Sequence, residues 1–182
     1  MKKHWIDERE EIVTWALNYK TLTLTEAWND CIRGDWMLWL CCLMCGKDGW
    51  PTRQELVLAA CACAETAPKY VRKPEIHTLQ IEAARRAIET ARKWANGEAT
   101  IAEVDAAASD AYIAHAYAAA SAAYSASYPN DAVAAATYIA DAADVYYAAA
   151  ADAYAARAIA LKECAVILHS MLRVPEDKEP TK

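Results

Sequence analysis

The chain has 182 residues, a length that fits one domain and can bury a sizeable core. Its 56% hydrophobic content overstates that core: alanine makes up roughly a quarter of the chain, phenylalanine is absent, and bulk rests on ten Tyr and seven Trp. A net charge of −6 speaks against a general nucleic-acid binder, and four glycines leave no Walker or Rossmann phosphate loop.

At the amino terminus, Met1-Lys2-Lys3 leads into the polar run Asp7-Glu8-Arg9-Glu10-Glu11. No apolar targeting core follows, so a soluble, cytoplasmic protein is expected. A first helix is expected over 7–19, with Ile12, Trp15, Ala16 and Tyr19 on one face. Thr23-Leu24-Thr25-Glu26 is a capping box that opens a short helix through Ile32, ended by Gly34.

Asp35 is then expected to cap a helix from Trp36 to Cys45, stopped by Gly46. This helix is apolar all round and should be the most buried of the amino-terminal half. Its apolar run is about half the roughly 20 residues that a membrane span needs. Pro51 and a second capping box, Thr52/Glu55, start a helix to about Ala67. A basic connector over 69–73 follows. Pro74 then begins a helix to Gly97 with an apolar stripe of Ile81, Ala84, Ile88, Ala91 and Ala95, and with Arg85, Arg86, Arg92 and Lys93 outside.

A third capping box, Thr100/Glu103, opens an alanine helix over about 101–127. After the Tyr128-Pro129-Asn130 turn a second runs from Asp131 to about Leu172. From Glu98 to Ala156 there is no Lys or Arg, while Glu98, Glu103, Asp105, Asp110, Asp131, Asp141, Asp144 and Asp152 recur. Alanine favours helix but brings only a methyl group to a core, so close helix packing with tyrosines as knobs is expected. Tyr117/Tyr124 and Tyr147/Tyr154 each lie seven apart. A pocket of tyrosine and aspartate for a cationic or aromatic ligand is the other reading of this pattern. The fold class is all-α: a single-domain bundle of about seven helices over 1–174, ending in a long alanine-rich helical hairpin over 101–172. A polar tail from Pro175 is expected to be disordered.

The chemistry-bearing residues give no active-site signature. Cys42 and Cys45 have zinc-like spacing, but they sit in an apolar helix, and Cys61 and Cys63 sit among alanines, where cysteine acts as a small hydrophobe. No metal, no cofactor and no catalytic residue are expected. Seven cysteines without a targeting segment fit reduced thiols. His115, near Asp110 or Asp141, and the Asp141/Asp144 pair are the weak candidates for acid–base work. The corner Arg33, Asp35, Trp36 and Trp39 combines residue types enriched at binding hot spots, although the two tryptophans also serve as core bulk. The basic 69–93 segment followed by an arginine-free one is explained most simply by charges pairing between helices.

Thr25-Glu26-Ala27-Trp28, Arg33-Gly34-Asp35-Trp36-Met37-Leu38-Trp39-Leu40, Leu58-Ala59-Ala60-Cys61 and Ala87 through Thr100, together with the alanine helices, resemble one family. It is the alanine-rich helical immunity proteins, the immunity-five-like group, which also occurs in phage genomes. The resemblance spans roughly 20–172. It implies a non-enzymatic inhibitor that binds a partner protein in the cytoplasm, as an immunity or phage counter-defence factor. The expected target is a protein such as a basic toxin or a host defence protein, with no direct nucleic acid and no membrane; self-association stays open. The candidate binding residues are Arg33, Asp35, Trp36, Trp39, Asp110, Asp141, Asp144 and Asp152. The alternative is a protein that sequesters a small molecule or signalling nucleotide, an anionic one on Arg85, Arg86, Arg92 and Lys93.

Overall fold

The computed structural model describes residues 23–67, 78–146 and 150–175, with side chains except at 142–146 and 150–153. The expected helix over 7–19, the connector over 69–73, the start at Pro74 and the tail beyond Pro175 lie outside the described residues. Every regular element among the described residues is helical, so the architecture is an all-α bundle.

The helices are α1 (Leu24–Asp30), α2 (Gly34–Met44), α3 (Arg53–Ala64), α4 (Thr78–Ala95), α5 (Ile101–Ile113), α6 (Tyr117–Tyr124), α7 (Asp131–Tyr146) and α8 (Ala150–Met171). Three of them start as their sequences dictate. Thr23, Thr52 and Thr100 each accept from the backbone of the glutamate three residues on, and each glutamate reaches back to the threonine N–H. Both members of the box thereby satisfy helix-end donors that would otherwise be orphaned. None of the described helices is long and apolar enough to cross a membrane.

The start of α2 departs from expectation. Gly34 is its first residue instead of the terminator of α1, and Asp35 lies inside the first turn, not at the cap. Position 34 is where α2 touches α8. A β-carbon there would stand 2.4 Å from Cys164 Cβ and 3.0 Å from the Leu161 carbonyl oxygen. Glycine is used for close approach, and the acidic Asp35 still suits the positive end of the helix.

The most buried helix of this half is α3, not α2. Leu56, Val57, Ala59, Ala60, Cys61, Cys63 and Ala64 are all buried, whereas Trp39 and Leu43 of α2 are 40% and 53% exposed. Alanine and cysteine let neighbours approach α3 from several sides, and it packs against α2, α4, α6, α7 and α8. On α2 Met37 and Leu38 are enclosed, but Trp39 and Leu43 face outward. Arg53, at the start of α3, donates to the carbonyls of Ala126 and Ser127 at 3.0 and 3.2 Å, while Cys42 donates to that of Pro129 at 2.9 Å. The turn before α7 is therefore held from two sides.

On α4 the buried stripe is Ala83, Ala87, Ile88 and Ala91. Ile81 shares the angle of Ile88 but lies a turn or two nearer the amino end, where it is 59% exposed.

The largest revision concerns the alanine region, which forms four helices. One reversal is at His115, whose φ is +60°. The Ala116 N–H bonds the Ala111 carbonyl at 2.8 Å and the His115 N–H bonds that of Tyr112 at 3.0 Å. This is a Schellman stop, made by histidine where the same device at the end of α4 uses Gly97. α7 and α8 pack side by side. Arg157 bonds Asp141 directly, although sixteen residues of straight helix would part them by about 24 Å.

Among the described tyrosines the expected knob role holds for Tyr124, which packs half-buried against the core, and not for those at the surface. Tyr112, Tyr128, Tyr138 and Tyr154 are exposed, and the enclosed bulk is Met37, Leu38, Leu56, Ile139 and Leu168. Pro175 packs on Gly49, whose β-carbon would meet the proline ring at 3.1 Å.

Candidate binding face

The residues singled out from sequence fall on different parts of the bundle. Arg33 grips Asp35 with two parallel bonds, Nε to Oδ1 at 2.9 Å and Nη2 to Oδ2 at 2.7 Å. Its guanidinium also stacks 4.5 Å above the Trp36 ring. Asp35 is buried and Trp36 half-buried, so these three side chains are engaged with one another at the start of α2. Trp39 alone of this corner presents much surface. Asp110 is exposed on α5, which packs on α4 and α6, whereas α2 packs on α7 and α8. Asp141 pairs with Arg157. The side chains of Asp144 and Asp152 lie outside those described.

A different set of residues converges across α5, α6 and α7. Asp105, Ser109 and Tyr112 are spaced four and three apart and share one face of α5. Each meets the neighbouring segment. Ser127 Oγ donates to Asp105 at 2.7 Å, Ser109 and Tyr124 hydroxyls are 2.8 Å apart, and the rings of Tyr112 and Tyr117 meet edge to face at 5.1 Å. Tyr117 then meets Tyr138 of α7 at 5.5 Å. The His115 ring lies edge-on to Tyr117, its Nδ1 2.6 Å from the hydroxyl, and its carbonyl accepts from Gln80 of α4 at 3.0 Å. Tyrosine, not Asp110 or Asp141, is thus the hydrogen-bond partner of the His115 ring.

Asp131, Tyr138 and Asp141 extend the same band along α7. Burial, followed by Tyr112, Asp141, Tyr117 and Asp131 nearby, pushes the Tyr138 hydroxyl above its ordinary value, so it stays a neutral donor. Burial likewise raises the Asp131 carboxyl. Asp141 keeps 49% of its side chain exposed beside Arg157, itself only 14% exposed. The Tyr117/Tyr124 spacing, the candidate Asp141 and the recurring carboxylates Asp105 and Asp131 are the legible part of this face. Ser109, Tyr112, Tyr138 and Arg157 were missed because nothing local marks where an alanine helix folds back.

The basic helix pairs differently from expectation. Arg85 and Lys93 both bond Glu89 of their own helix, and Arg92 forks onto Glu65 after α3 at 2.7 and 2.9 Å. Lys93 holds the Glu89 carboxyl below its ordinary value. Among the described residues, none of these pairs reaches a carboxylate of the alanine region. A shallow cleft of about 270 Å³ lies between Arg86, Glu89, Thr90, Lys93, Ala107 and Asp110.

Five of the seven thiols are buried, and those of Cys42 and Cys45 are half-buried. Burial pushes Cys41, Cys42 and Cys61 up to about 12, and Cys63, hydrogen-bonded with Cys164, is raised well above its ordinary value. Among the described residues no three metal-ligating side chains converge. Comparison with protein-family models, curated proteins and solved structures returned no match.

Proposed function

We propose that the protein is a non-enzymatic inhibitor that binds and neutralises a partner protein, as an immunity or counter-defence factor. The observation that carries this reading is the continuous tyrosine, serine and aspartate face on α5–α7. Tyrosine offers large, rigid contact area with little rotamer entropy to lose, and short polar side chains adapt their hydrogen bonds to a partner. Tyrosine, which protein interfaces favour, recurs on this face, and of the residues they disfavour lysine and glutamate are absent between Asp105 and Ala156 while aspartate and serine are present. The family resemblance of the Arg33–Leu40 and Trp94–Glu98 motifs points in the same direction. Small-molecule sequestration has less support, since the cleft beside Arg86 is at the small end for a ligand site and its Lys93 is already paired.

The test is affinity capture from the native host in mild salt, with wild type beside a Tyr112→Ser/Tyr138→Ser variant. A specific protein is expected on wild type and not on the variant, and co-expression of wild type is expected to relieve that protein's activity. Recovery of no specific protein by wild type would sink the reading.

A further inference from the structure

We infer that the tyrosine face accepts arginine side chains of its partner, a guanidinium stacking on Tyr112 and Tyr138 with its charge answered by the Asp141 carboxylate. This rests on the partner-binding reading and names the chemistry of the occupant.

Charge selects a cation. The half-buried Asp105, Asp131 and Asp141 place carboxylates on this face, and no Lys or Arg occurs from Glu98 to Ala156, with Arg157 meeting the face at Asp141. A partner surface rich in carboxylates would meet like charge on the same helices, which is costly at close range. Ring geometry selects a flat cation. Tyr112 and Tyr138 are 53% and 38% exposed, and each lies against Tyr117, which holds it in place. The negative face of such a ring attracts a cation, and a guanidinium can stack on it while its fork engages a carboxylate. A lysine ammonium offers one point charge and no plane.

The molecule already uses this chemistry in full at Arg33 and its ion-pair half at Arg157. Arg33 lies over Trp36 while forking onto Asp35, and Arg157 bonds Asp141 at the edge of the tyrosine face. With about half of its surface still exposed, the Asp141 carboxylate has room to accept a second guanidinium from outside.

The experiment has two arms. In the first, a synthetic peptide of alternating arginine and glycine is titrated into the full chain, with the matched peptide carrying neutral citrulline for arginine. Tyrosine ring resonances are followed by NMR. Saturable shifts of the Tyr112 and Tyr138 rings are expected with arginine and not with citrulline, and Tyr112→Ser/Tyr138→Ser is expected to weaken binding about tenfold. Equal shifts with citrulline, or none with arginine, overturn the assignment. Because the first comparison is made on wild type, it holds whatever the variant's stability. In the second arm, the captured partner is challenged by raising salt from about 50 to about 500 mM, which should weaken a charge-steered contact. A partner that needs the tyrosines but is indifferent to salt overturns the arginine assignment and leaves the partner-binding reading standing.

Discussion

Gly34 shows how one residue sets the distance between two helices. In an open helix a Gly→Ala change stabilises by about 1 kcal/mol, because alanine has the better propensity. Here the added methyl would sit 2.4 Å from Cys164 Cβ, closer than any real contact of its kind, with backbone on two further sides. The sign should reverse. Gly34→Ala is expected to destabilise by about 1–3 kcal/mol, the range for overpacking, seen as a lower denaturation midpoint. His115 is the opposite case. Its φ of +60° is a conformation in which a β-carbon costs about 1–2 kcal/mol, and its ring is exposed, so little is lost by removing it. His115→Gly should therefore raise stability by about 0.5–1 kcal/mol; a lower melting temperature would show that the Tyr117 contact outweighs the backbone term.

The buried thiols allow a residue-level check on the core. With Cys41 and Cys61 pushed up to about 12, only about 10⁻⁴ of either is thiolate at pH 8, and both side chains are fully enclosed. Iodoacetamide followed by peptide mapping should leave Cys41, Cys61 and Cys63 unmodified in the native protein and label them in urea. Rapid native labelling of Cys61 would contradict the central position of α3.

At the level of elements, the capping-box starts and the glycine stops at Gly46 and Gly97 are legible, and the glycine-free stop at His115 is not. Thr23, Thr52 and Thr100 announce three helices because a capping box is a local, covalently spaced device. The stop at His115 leaves no such mark. It follows a glycine-type pattern without the glycine, inside a run of alanines that would continue as helix on propensity alone. For the same reason the tyrosine face was only half visible: the spacing of Tyr117 and Tyr124 can be read along one helix, but Ser109 against Tyr124 needs the reversal. The fold class, by contrast, needs only composition and caps.

The Thr100 box also predicts a pH response. Bonds from the Thr100 N–H and hydroxyl hold the Glu103 carboxyl below its ordinary value of 4.5. A carboxyl depressed on folding stabilises the folded state above its unfolded value, and that contribution is lost as pH falls through the folded value. Melting temperature should therefore drop on acidification below about pH 4.5. Glu103→Gln keeps the box geometry without the titration, so its profile should be flatter. Superimposable profiles for the two proteins would remove Glu103 from the acid response.

For the whole molecule, the position of α3 decides whether the two halves of the chain unfold together. All seven tryptophans lie at or before residue 94, whereas the described helical residues are shared between the two halves, somewhat more than half of them after residue 100. Tryptophan fluorescence therefore reports the first half, and far-ultraviolet circular dichroism reports both. If the alanine helices formed a separate unit, part of the circular dichroism would persist after the tryptophan transition. The contacts argue otherwise, because α3 packs against α2 and α4 on one hand and α6, α7 and α8 on the other. Arg53 and Cys42 also bind the turn before α7, and Gly34 lies directly on α8. The two signals should therefore share one midpoint, as two-state unfolding requires. Leu56 of α3 is fully buried in this shared core. Leu56→Ala should lower stability by about 2–5 kcal/mol and move both midpoints by the same amount. A shift in fluorescence alone would divide the bundle into two cooperative units and make α3 a member of only one.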